Sequence, residues 1–112
     1  MTARMREPTY FILAALQDEP LHGYAIITRA AELSRGRVKL ATGTLYSALD
    51  RLTGEGLVDS VREEVVNGRA RRYYALTPRG QAALQAEAAA MASAARIVTD
   101  RATRRRPQEG IA

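Results

Sequence analysis

The sequence predicts a mainly α chain carrying one small β-hairpin, and three stretches predict it. Residues 41–58, ATGTLYSALDRLTGEGLV, place Leu45, Leu49 and Leu52 at i, i+4 and i+7, the stripe of a helix facing a core. Residues 58–77 hold β-branched and tyrosine-rich runs on either side of Asn67-Gly68, a strong signal for a two-residue hairpin turn. Residues 78–103 are rich in alanine, a strong helix former, and predict a long final helix.

The first element in chain order follows a frayed start. Pro8 suits the first turn of a helix, Phe11, Ile12, Ala15 and Leu16 give it an apolar stripe, and Asp18-Glu19-Pro20 ends it. A second helix is expected from Leu21 or His22 to Leu33, with a wide apolar face formed by Tyr24, Ile26, Ile27, Ala30, Ala31 and Leu33. His22 is the only histidine and reads as a helix-start or surface residue. Ser34 to Leu40 is a basic connection with Arg35, Gly36, Arg37 and Lys39.

The central helix has two faces that want different partners. Thr42 is the expected N-cap, its hydroxyl accepting from first-turn amides. Opposite the leucine stripe lie Gly43, Thr44, Ser47 and Arg51, with Tyr46 and Asp50 at the border. Gly56 stands where a left-handed C-terminal cap belongs. Alone, such a polar face reads more readily as a solvated surface. The hairpin that follows carries Arg69, Arg71 and Arg72, and a polar-faced helix leading directly into a cationic hairpin is the layout of a winged helix-turn-helix.

Thr77 and Pro78 read as N-cap and first residue of the last helix. Along it Leu84, Ala88, Met91, Ala95, Val98 and Ala102 alternate in steps of four and three, a heptad-like seam. A helix of about 25 residues is nearly 40 Å long, more than so small a domain covers, so part of the seam is expected to meet a second copy. The expected organisation is a winged helix-turn-helix over 8–77, a dimerisation helix over 78–103, ended by Arg104-Arg105-Arg106-Pro107, and a disordered tail over 104–112.

Composition narrows the function classes. The chain has 112 residues, enough for one small domain whose core gains from oligomerisation. It has no cysteine, and one histidine cannot form the cluster that metal sites need. With no glycine-rich phosphate loop and no paired carboxylates on one predicted face, nothing serves as nucleophile, base or metal ligand, so an enzyme and a cofactor are not expected. No apolar run approaches a membrane span and no signal-peptide core opens the chain, so the expected compartment is the cytoplasm. Net charge is +5, of which +3 falls after Asp100. Its placement is more specific than its size, since basic clusters at 35–39 and 62–72 flank the central helix.

With these residues in view, the chain resembles the PadR family of bacterial transcriptional regulators, of the short type with one C-terminal helix. The resemblance rests on LHGYAI at 21–26, GTLYSALDRL at 43–52, Gly56-Leu57-Val58 and GRARRYYALTPRG at 68–80. It implies a homodimeric, repressor-type regulator of a palindromic operator, paired through its N- and C-terminal helices. It further implies response to a small aromatic or amphipathic effector. Ser47 and Ala70 stand where many relatives have proline, and the chain has no Trp, so the Trp-lined pocket of some relatives is not carried over.

The expected contacts with double-stranded DNA follow. Thr44, Ser47 and Arg51 reach base edges or nearby phosphates, Gly43 permits close approach, and Tyr46 meets backbone or a thymine methyl. Thr42 and Lys39 lie at the start of the same face, and the Tyr24 hydroxyl is within reach of a phosphate. Arg69 and Arg71 share one side of a strand as wing contacts, Arg72 facing the other way. Tyr73 and Tyr74 pack the hairpin. Phe11, Leu84, Ala88, Met91, Ala95 and Val98 are the expected dimer contacts. The competing reading is a winged-helix module that binds a small molecule or a protein without reading DNA.

Overall fold

The structure, a computed structural model, describes residues 5–109, with side chains as far as residue 103. The elements run α1 (Glu7–Ala15), β1 (Leu21–His22), α2 (Gly23–Leu33), α3 (Thr42–Gly54), β2 (Val58–Val66), β3 (Arg69–Leu76) and α4 (Pro78–Glu109). Ile12 and Leu13 of α1, Ile26 of α2, Leu45, Leu49 and Leu52 of α3, and Val58 of β2 are fully buried together. Tyr74 and Leu84 close that core from β3 and α4.

Leu21 and His22, expected to open a helix, instead form an edge strand. Leu21 pairs with Tyr74 and His22 with Tyr73, giving an antiparallel sheet of order β1-β3-β2. The outer edge of β3 carries backbone groups that must find partners, and the extended segment after Pro20 supplies them. Tyr24 and Leu33, expected on the buried face of α2, are exposed.

The basic connection is ordered by its least basic members. The Ser34 hydroxyl accepts from the Val38 amide at 2.9 Å and donates to the Ala31 carbonyl at 3.2 Å. Val38 is buried, so Arg35, Arg37 and Lys39 are held outward. Arg35 adopts φ +56 to complete the end of α2, where its amide reaches Glu32 O and that of Gly36 reaches Ala31 O.

At the start of α3 the N-cap is Ala41, not Thr42, and no side chain caps the helix. Anchoring by Ser34 and Val38 leaves Ala41 extended and draws Thr42 into the first turn. The far end agrees with expectation: Gly56 has φ +77, its amide bonds Thr53 O, and the Leu57 amide bonds Leu52 O.

Asn67 and Gly68 both have positive φ, as the tight hairpin turn requires. Between Ser60 and Arg62 the ladder slips by one residue at Val61. In-register pairing would have set Arg62 opposite Arg72; the bulge sets Glu63 opposite Arg72 and Glu64 opposite Arg71. Opposite charges across a ladder replace like ones.

Thr77 caps α4 as expected, accepting from the Gly80 amide at 2.9 Å while donating to the Gly56 carbonyl at 2.6 Å. The helix spans 32 residues, about 48 Å, and gives the molecule extents of 70 × 30 × 22 Å. It continues past Thr103 through Pro107 to Glu109, so the tail expected disordered over 104–112 is helical in its first part. Arginine is a good helix former, and cations suit the C-terminal end of a helix. Residues 110–112 lie outside the described residues. Among the described residues no helix is long and apolar enough to cross a membrane, and no cluster of His, Cys, Asp or Glu could hold a metal ion.

Candidate nucleic-acid interface

Burial of the leucine stripe fixes what α3 shows to the outside. Thr42, Gly43, Thr44, Tyr46 and Ser47 are all exposed, and no side chain takes up the first-turn amides. Tyr46 leans on the start of α2, where a Cβ on Gly23 would stand 2.4 Å from its hydroxyl oxygen. The missing side chain at Gly23 is what lets the ring lie there. Beside it Tyr24 is 76% exposed, which removes it from the core and leaves its hydroxyl on the face expected to meet DNA.

Between this helix pair and the wing runs a cleft of about 420 Å³. Tyr24 and Tyr46 line it from the helices, Arg69, Arg71 and Arg72 from β3, together with His22. Among the described residues no carboxylate lines it.

The three wing arginines are not equivalent. Arg72 faces Glu63 at 3.6 Å, and the Tyr74 hydroxyl and Glu63 hold its guanidinium above its already high ordinary pKa. Among the described residues neither Arg69 nor Arg71 makes an ion pair. Glu64, opposite Arg71 in the ladder, instead accepts from the Tyr73 hydroxyl at 2.5 Å. Arg62 stacks over the same tyrosine, 4.1 Å from the ring centre. Tyr73 and Tyr74 thus pack the hairpin, and two cations are left unneutralised beside the cleft.

Arg51 has partners within the chain as well as an exposed position. Its guanidinium donates to the Thr9 hydroxyl of α1 at 2.9 Å and lies 3.5 Å from Glu55, so it ties α3 to α1 while about half of its side chain stays exposed. Helical spacing put Arg51 on the face of Ser47 and within one turn of Glu55; the position of α1 adds Thr9 as a second partner. In the basic connection Arg37 is likewise paired, with Glu7, whereas Lys39 is exposed.

The seam of α4 divides. Leu84, expected at a dimer contact, is 3% exposed and belongs to the chain's own core, because the first turns of α4 pack on α1 and β3. Phe11, Ala88 and Met91 are half-buried, and Ala95 and Val98 are exposed. Ile97, absent from the seam, is 69% exposed next to Val98 at 70%.

An exposed polar helix face beside a cationic wing defines a DNA-binding regulator of the winged-helix class. The pattern of the "Transcriptional regulator PadR-like family" matches residues 12–86. A transcriptional regulator of Mycobacterium tuberculosis, Rv3488, is 45% identical over 87 residues, 78% of either chain. A PadR family transcription regulator from Clostridium difficile R20291 shares the fold with a TM-score of 0.68 at 26% identity, over 85% of this chain and 97% of that one. Bacillus subtilis PadR in complex with operator DNA matches with a TM-score of 0.63 at 27% identity, over 71% of this chain and 46% of that one. The chain belongs to the PadR-like family of transcriptional regulators, and the family is one of regulators, not enzymes.

Proposed function

We infer that the protein is a homodimeric repressor that reads a palindromic operator with α3 and grips the flanking backbone with its wing. The observation that carries this reading is the acid-free cleft joining the exposed Thr42–Ser47 face to the unpaired Arg69 and Arg71. Thr44 and Ser47 reach base edges, Gly43 allows close approach, Thr42, Tyr46, Tyr24 and Lys39 meet backbone, and Arg69 and Arg71 neutralise phosphates. Arg72, held by Glu63, adds less. Such a regulator works in the cytoplasm, where bacterial DNA lies.

Exposed Ala95, Ile97 and Val98 on a helix that extends beyond its own domain support pairing with a second copy. Two copies bring their α3 helices about 34 Å apart, one turn of DNA. A cleft of about 250 Å³ between α1 and α4, lined by Met5, Tyr10, Phe11 and Met91 with Glu7, Arg37 and Glu87 among them, supports a small amphipathic effector. An effector bound there would bias the angle of α4, and with it the spacing of the two reading helices.

The test is fluorescence anisotropy on the DNA upstream of the protein's own gene and on a scrambled duplex across a salt series. Discrimination of about 10³ or more is expected. Ligand binding without any salt-dependent DNA binding would instead establish a winged-helix module that no longer reads DNA. For the dimer, Val98→Asp is expected to give a monomer by light scattering, and an unchanged dimer would remove α4 from the interface.

A further inference from the structure

His22 is a titratable side chain of the cleft without an assigned task. It occupies the N-cap position of α2 with φ −85 and ψ 168, yet its side chain makes no capping hydrogen bond. Among the described residues the imidazole has no hydrogen-bond partner. What positions it is Tyr73, whose ring meets it edge-on at 5.4 Å. Tyr73 is itself braced by its bond to Glu64 and by the stacked Arg62. The imidazole, set against Tyr73, lines the cleft that Arg69, Arg71, Tyr24 and Tyr46 also line.

The groups facing it from each packed element have opposing effects. From β3, Arg71 disfavours a cation, with Arg69 and Arg72 on the same cleft wall. From β2, Glu64 favours one, while Arg62 sits across the Tyr73 ring. Tyr46 from α3 and Tyr24 from α2 line the same cleft. Burial and Arg71 prevail over Glu64 and hold the imidazole below its ordinary 6.5, so it is neutral in the free protein at neutral pH.

We propose that His22 is a phosphate ligand of the wing cleft and binds DNA as the imidazolium, each protomer drawing one proton from solvent as it closes on the duplex. This rests on the reading that DNA occupies this face. A phosphate entering the cleft gives the ring an anionic acceptor and offsets the field of Arg71, one of the two influences that keep the ring neutral without DNA. By linkage, affinity then rises as pH falls, by at most about tenfold per pH unit for each protomer.

Because the chain has a single histidine, the imidazole Cε1 proton of the tag-free protein reports His22 alone in proton NMR. Its titration is followed with and without the duplex from upstream of the gene. Anisotropy on that duplex is followed in parallel from about pH 6 to about pH 8 for the wild type and His22→Gln. Expected are a titration midpoint that moves up when DNA is bound, wild-type affinity that tightens severalfold toward pH 6, and a pH profile that is flat for the variant. A midpoint that DNA leaves in place, or the same pH slope in His22→Gln, overturns the proposal. Absence of DNA binding at every pH overturns the DNA reading itself and this inference with it. The NMR titration needs no variant, so a folding defect in His22→Gln does not blunt the test.

Discussion

The guanidinium of Arg51, near the end of α3, donates to the Thr9 hydroxyl of α1 at 2.9 Å, and Thr9 is 8% exposed. This bond fixes the angle between the helix that faces outward and the helix that supports it. Arg51→Ala is expected to lower the unfolding free energy by about 1 kcal/mol, and Thr9→Val by a similar amount. The double variant should cost little more than either alone. Salt dependence of DNA binding should not change in any of them. A salt slope reduced by about one with stability unaltered would return Arg51 to the DNA surface.

The wing arginines should separate by their neighbours. Arg69→Ala and Arg71→Ala each remove a cation with no internal ion pair, so each should weaken binding to all sequences and reduce the salt slope by about 0.9 per phosphate released. Arg72→Ala, whose partner Glu63 lies at 3.6 Å, should change the slope less. Equal slopes for all three variants would contradict this ordering.

Two glycines should respond to alanine with opposite signs. A Cβ on Gly80 would stand 2.0 Å from the Leu57 carbonyl oxygen, and neither backbone can yield without moving the first turn of α4 away from Leu57. Gly80→Ala is expected to cost about 1–3 kcal/mol in denaturant unfolding. Gly43 lies in α3 with nothing within 4 Å, so Gly43→Ala should stabilise the fold by about 0.5–1 kcal/mol. It should weaken DNA binding all the same, because the added methyl occupies the face that approaches the groove. A variant that is more stable and binds DNA unchanged would show that Gly43 is not at the contact.

Free protein and DNA complex should respond to acid in opposite directions. In the free chain the folded-state pKa of His22 lies below that of the unfolded chain, so the unfolded state binds the proton first. Stability should therefore be undiminished by His22 above about pH 6.5 and fall as pH drops below that value. His22→Gln should lose less stability than the wild type between about pH 7 and about pH 5.5 in thermal melts. DNA affinity over the same range should rise in the wild type.

The sequence by itself determined the elements whose signals are local. The Leu45-Leu49-Leu52 stripe fixed which side of α3 is buried, and hence which residues are exposed. Asn67-Gly68 fixed the turn, Gly56 the end of α3, and Thr77-Pro78 the start of α4, each because one residue type suits one backbone geometry. The family blocks were legible for the same reason, lying on those elements in a fixed order.

Tertiary structure alone decided what depends on partners distant in the chain. Leu21-His22 became a strand because β3 had an open edge, and Leu84 entered the core because α4 folds back before it extends. The bulge at Val61 decided which charges oppose each other, and so which wing arginines remain unpaired. Arg51 and His22 gained contacts that their sequence readings could not supply, one bonded to Thr9 across 42 positions and the other, at the helix start as read, set beside a cationic cleft by Tyr73. A side chain's periodicity gives the direction in which it leaves its own helix or strand. Its task depends on what the rest of the fold places there.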